Sequence, residues 1–167
     1  MVDEWFVNEL NLGEKKMVEI DNDNYGLEEI KDWADSLERP ISEIQDMVNN
    51  WDEKQWAVFA HYDFDTSLID DIDDLDIDTD TVHVNGEDIY VLTDSEADDL
   101  ADEMLDSYIE DCILNEIPER YQYYFDDAKF KDDVLRYDGR GSQIASYDGC
   151  ENWNTVNGTD YYIYRTN

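Results

Sequence analysis

The sequence predicts an α+β fold of small mixed helices and short antiparallel strands under a highly acidic surface. Three observations predict it. Several stretches carry apolar residues at helical spacing, β-branched residues alternate on both sides of Asn85-Gly86, and strands and helices follow each other without a repeating β-α-β rhythm. At 167 residues, with 41% apolar and 13% aromatic side chains, the chain suits one domain or two small ones and can bury a real core.

Trp5 to Leu10 and Lys16 to Ile20 read as strands, followed by a turn at Asp21–Gly26. Leu27 to Leu37 places Leu27, Ile30, Trp33, Ala34 and Leu37 on one helical face, and Arg39-Pro40 ends that helix. A second helix carries Ile41, Ile44, Met47, Val48 and Trp51, and a third spans Glu53 to His61. Asn85-Gly86 accepts the positive φ angles of a tight hairpin between Thr81–Val84 and Glu87–Leu92. Thr93-Asp94-Ser95 supplies the cap of a long helix reaching about Asn115. Short helices are expected from Pro118 to Phe125 and from Asp126 to Tyr137. A turn-rich tail then ends in a strand at Tyr161–Arg165. The expected division is an α+β subdomain at 1–62, an acidic segment with the hairpin at 63–93, and a helical subdomain with a terminal strand at 94–167.

The net charge is −35. Such a molecule repels DNA, RNA and anionic membranes, so direct binding to any of them is not expected. Between Lys54 and Arg120 the 65 intervening residues hold 22 acids and no lysine or arginine. Acid runs of this length usually stay disordered. Here Ile69, Ile72, Leu75 and Ile77 sit inside the run, which anchors the carboxylates in fixed places. Three uses of the charge remain open: solvation in high salt, binding of multivalent cations, and imitation of a nucleic acid before a basic protein. Cys112 and Cys150 without an apolar leader read as reduced thiols, with Cys112 on an apolar helix face. The expected location is the cytoplasm.

Two acidic rows are the candidate partner-binding residues. On the long helix Asp94, Asp98, Asp102, Asp106 and Glu110 recur at i, i+4, flanked by Asp99 and Glu103, opposite Leu100, Met104, Leu105, Tyr108 and Cys112. Like charges so spaced cost about 0.2–0.5 kcal/mol per pair. No lysine on the helix relieves them, so replacing Asp98, Asp102 and Asp106 by Asn or Lys is expected to hold or raise stability. The second row comprises Asp70, Asp71, Asp73 and Asp74, then Asp76, Asp78 and Asp80 along an extended segment. Steps of about 6 Å on a helix and 6.6 Å on a strand resemble the spacing of phosphates along a DNA strand.

Asp76-x-Asp78-x-Asp80 with Glu87 matches several ligand positions of a calcium loop, but Thr81 stands where glycine is needed. Asp21–Gly26 has the glycine, yet Tyr25 occupies a ligand position and Asp32 the place of the bidentate glutamate. No metal and no cofactor are expected. His61 and His83 lie apart, no cysteine pair has zinc spacing, and Gly139-Arg140-Gly141 lacks the context of a phosphate loop, so no catalytic residue is assigned and no enzyme is expected.

Residues 104–137, and Ile117-Pro118-Glu119-Arg120-Tyr121-Gln122-Tyr123-Tyr124-Phe125-Asp126-Asp127 in particular, resemble the C-terminal part of ArdA-type antirestriction proteins. The tail from Asp138-Gly139-Arg140-Gly141 to Tyr161–Arg165 is similar to small proteins of phages and mobile elements. The resemblance implies an elongated, often dimeric mimic of B-form DNA that occupies the DNA groove of type I restriction–modification enzymes. The expected function is therefore inhibition of a DNA-binding host-defence enzyme. An anti-CRISPR or other nuclease inhibitor, and an acidic halophilic or cation-binding protein, stand as alternatives. The expected partner is a basic DNA-binding protein, a restriction–modification enzyme or a CRISPR effector, with a homodimer left open.

Overall fold

The computed structural model describes residues 16–18, 27–77 and 81–167. The expected strand at Trp5–Leu10, the turn at Asp21–Gly26, and Asp78 and Asp80 lie outside the described residues. The elements are β1 (Lys16–Val18), α1 (Leu27–Leu37), α2 (Ile41–Asn49), α3 (Glu53–His61), α4 (Ile69–Asp73), β2 (Val82–Val84), β3 (Glu87–Thr93), α5 (Asp94–Tyr108), α6 (Glu119–Gln122), α7 (Asp127–Ile144), β4 (Asn152–Val156) and β5 (Thr159–Arg165). The fold is α+β. Four strands form an antiparallel sheet in the order β4-β5-β3-β2, and β1 joins the β4 edge in parallel.

The two-residue period of the strands separates two cores. Ile89 and Val91 of β3 and Tyr161 and Ile163 of β5 face α1–α4. Their neighbours Tyr90, Leu92, Tyr162 and Tyr164 face α5 and α7, so the sheet is the middle of three layers. The larger core explains much of the aromatic content: Trp51 meets Trp56 edge-on at 5.2 Å, and Phe59 takes the edges of Trp33, Trp51 and Phe64 at 5.2–5.4 Å. Asp52 caps α3 in a reciprocal pair with Gln55. The buried Gln55 amide also donates to the Ile72 carbonyl at 2.9 Å, which fixes α4 against α3.

Asn85 and Gly86 both take positive φ, 53° and 76°, as the hairpin requires. Thr93 caps α5 in a reciprocal pair with Glu96. Past Tyr108 the chain stays helical in a wider turn over Ile109–Ile113 and a tighter one over Leu114–Glu116, close to the expected end. Three expectations differ. Tyr108 and Cys112 are exposed rather than on the buried face, because only Ala97, Ala101, Leu105 and Ile109 reach the interior. Helix α7 does not stop at Tyr137 but resumes after a left-handed residue, Gly139, and runs to Ile144. Asn152–Val156, expected as turns, is a strand, and it forms a second tight hairpin with β5 through Asn157 and Gly158 at φ 49° and 81°.

Candidate acidic interface

An i, i+4 row on a helix is not straight. Each step advances 400° and drifts about 40° around the axis, so four positions trace an inclined ridge. On α5 that ridge runs along α7, and α7 supplies the bases that α5 lacks. Arg140 Nη1 donates to Asp94 at 2.8 Å and to Asp98 at 2.9 Å, and Lys131 Nζ lies 2.9 Å from Asp102 and 2.5 Å from Asp106. The order reverses along the two helices, as antiparallel packing demands. The stripe is thus a seam, and the expectation that substitution at Asp98, Asp102 and Asp106 only relieves repulsion is corrected. Those carboxylates hold two cations that are themselves largely buried, each side chain 15% exposed.

The seam is anchored beneath. Arg140 lies 4.5 Å above the Tyr162 ring and pairs with Glu151 through Nε at 3.1 Å, while Tyr164 donates its hydroxyl to Glu151 at 2.7 Å. Burial works against the Arg140 charge, but the hydrogen bonds to Glu151 and Asp94 outweigh it and raise its pKa. Burial and then the hydrogen bond to Glu151 push the Tyr164 hydroxyl well above the ordinary tyrosine value. The hydrogen bonds to Asp106 and Asp102 raise the Lys131 pKa. Sequence reasoning missed Lys131, Arg140 and Glu151. The available signal was two bases nine positions apart, about 13 Å along a helix, opposite two acid pairs eight positions apart, about 12 Å.

The other candidate row divides similarly. Asp70 accepts from Arg39 at 2.6 Å, and Asp73 accepts from the Trp51 indole at 2.8 Å. Asp70, Asp71 and Asp73 sit on the short helix α4. Asp71, Asp74 and Asp76 are exposed. Asp99 and Glu103 on α5 and Glu110 in the wider turn that follows are exposed too, and Asp99 and Glu103 lie about 40° apart around the α5 axis. Among the described candidates Asp71, Asp74, Asp99, Glu103 and Glu110 take part in no ion pair, and these five are the free carboxylates of that described set.

Among the described residues no group of three or more His, Cys, Asp and Glu side chains is placed to hold a metal ion. Both calcium-like loops include residues outside that set. His83 lies 2.7 Å from Asp88 on the hairpin, and His61 packs edge-on against Tyr62. No described helix is long and apolar enough to cross a membrane. No family model, no curated protein and no solved structure matches the chain.

Proposed function

We propose that the chain is a DNA-mimic inhibitor of a DNA-binding host-defence enzyme, acting as an antirestriction protein in the DNA groove of a type I restriction–modification enzyme. One observation carries the proposal: most bases among the described residues are taken up by the chain's own acids, and Arg39, Lys54, Lys131, Arg140 and Arg165 are largely covered as well. Arg39, Lys54, Lys129, Lys131, Arg136, Arg140 and Arg165 are all ion-paired within the chain. The unpaired charge that remains outward is mainly carboxylate on a folded scaffold, with Asp71 and Asp74 on one layer and Asp99, Glu103 and Glu110 on the other. Against a groove of lysines and arginines these groups replace phosphates and need little ordering to do so. The resemblance of 104–137 to ArdA-type proteins supports the same target class.

The test is binding to a purified type I restriction–modification enzyme across a salt series, with duplex DNA as competitor. Affinity should fall steeply with salt, since exposed charges are screened over about 8–10 Å at moderate ionic strength. Duplex DNA should displace the chain, and joint replacement of Asp99, Glu103 and Glu110 by amides should weaken binding. Binding indifferent to both salt and DNA would refute the proposal. Capture of a CRISPR effector with the same salt and DNA behaviour would transfer it to the anti-CRISPR alternative.

A further inference from the structure

Twice this chain seats an arginine between a tyrosine ring and carboxylates. Arg140 lies 4.5 Å over Tyr162 and pairs with Asp94, Asp98 and Glu151. Arg165 lies 3.9 Å over Tyr147 and pairs with Glu87 at 2.8 Å. The arrangement suits guanidinium, whose plane lies on the ring while its edge donates to the acids, and suits a lysine ammonium less.

The same residue types recur around α6, where Asp126 caps α7 by accepting from the Lys129 N–H and where Glu119 and Asp127 pair with no base among the described residues. Tyr123 is 90% and Tyr124 78% exposed, set edge to face at 5.7 Å, with Glu119 before them and Asp126 and Asp127 immediately after Phe125. Among the described residues no cation lies on either ring. Arg120, the nearby base, covers Tyr121 at 4.7 Å instead. The backbone that presents the rings is held: Gln122 donates its side-chain amide to the carbonyls of Leu114 and Ile117 at 2.9 and 3.1 Å, and Phe125 packs on Phe130 at 5.7 Å. Two tyrosines left this bare bury nothing for the fold, whereas aromatic side chains of this kind anchor protein interfaces.

We propose that Tyr123 and Tyr124, with Glu119, Asp126 and Asp127, receive arginine side chains of the basic partner. The rings then take the place of exposed base faces as the carboxylates take that of phosphates. This deepens the proposed function and rests on it. Charge complementarity selects the occupant: a second copy of a chain carrying −35 is repelled, and an apolar partner leaves the surrounding acids unpaired.

The probes are an arginine and a lysine oligopeptide of equal length, titrated into the full chain at matched salt. Calorimetry and aromatic NMR resonances serve as readouts. We expect the arginine peptide to bind about tenfold more tightly, with shifts at the Tyr123 and Tyr124 rings. The gap should survive in Tyr123→Phe/Tyr124→Phe and narrow to about threefold in Tyr123→Leu/Tyr124→Leu, which keeps apolar bulk without the ring. An unchanged gap in the leucine pair, with salt-sensitive binding intact, would overturn the tyrosine anchor and leave the charge mimicry standing. Failure of both peptides to bind in a salt-sensitive way would overturn the anchor and the decoy function together.

Discussion

Replacing Arg140 by Met tests whether the seam between α5 and α7 holds the smaller core together. Met keeps most of the side-chain bulk above Tyr162 and removes the charge. The loss has three parts. Glu151, 29% exposed, forfeits a charged hydrogen bond and keeps the Tyr164 hydroxyl, which costs about 1.5–3 kcal/mol. Contact of the guanidinium with the Tyr162 ring is worth about 0.5–1 kcal/mol. Asp94 and Asp98 are 67% and 65% exposed, so each of those pairs adds only about 0–1 kcal/mol. The parts sum to about 2–6 kcal/mol, and the middle of that range lowers Tm by about 10 °C for a chain of this size. Asp98→Asn, by contrast, removes one exposed pair and some like-charge repulsion, and should stay within about 0.5 kcal/mol of the parent. Thermal and urea unfolding followed by circular dichroism measure both. In a Glu151→Gln background the Arg140→Met penalty should shrink by at least about 1 kcal/mol, because the stranded charge is gone. An Arg140→Met variant no less stable than Asp98→Asn would refute the seam as a source of stability.

Other outcomes follow from the same structure. Lys at 98, 102 and 106 together should cost about 2 kcal/mol, because it sets new cations against Lys131 and Arg140. Lys at 99, 103 and 110 should hold stability or raise it by up to about 1 kcal/mol while weakening target binding; urea midpoints and a binding assay separate the two triples. Tyr62, Tyr161 and Tyr164 are each raised above the ordinary value of 10.0 by burial and then by a hydrogen bond to a glutamate, Glu87, Glu53 and Glu151 respectively. The unfolded chain therefore ionises first as pH rises, so their stabilisation is complete below about pH 10 and is lost above it. Tyrosinate absorbance for these three should appear together with the loss of ellipticity rather than ahead of it. Gly141→Ala should cost about 3 kcal/mol in chemical unfolding, since an added Cβ would stand 2.6 Å from the Gly149 carbonyl oxygen and 3.1 Å from backbone atoms of Cys150 and Glu151.

Where local chemistry sets an element, the chain could be read directly. Helices α1 and α3 begin and end where apolar spacing, Pro40 and the Asp52 cap require, and Asn85-Gly86 imposes its hairpin. Strand β4 was not legible because it lacks the usual alternation. Asn154 and Thr155 are buried polar residues, and the partner of Asn154 comes from afar: it donates to the Ala57 carbonyl at 3.0 Å, a contact 97 residues distant. The same Asn-Gly signal stood at 157–158, but without apolar alternation before it only the following strand could be recognised. Asp138-Gly139 reads as a stop, yet a single positive φ of 77° lets the helix kink and resume, which carries Arg140 to α5. The candidate site was legible as a list of acids and not as a surface. Whether a carboxylate faces solvent or a neighbouring helix depends on packing that the order of residues along α5 does not contain.

The α5–α7 contact also has to choose a phase. Ala97 and Ala101 are small buried positions of α5, with Leu100 and Met104 of α5 and Leu135 of α7 beside them. The charges add a second constraint on the phase. A one-turn slip would carry Arg140 away from Glu151 and leave one terminal aspartate of the row without a cation. Two cations spaced to match two acid pairs therefore work as a key cut for one position. Exchange of an acid and a base across the seam would preserve that position, whereas loss of either cation would leave the apolar contacts alone to set it.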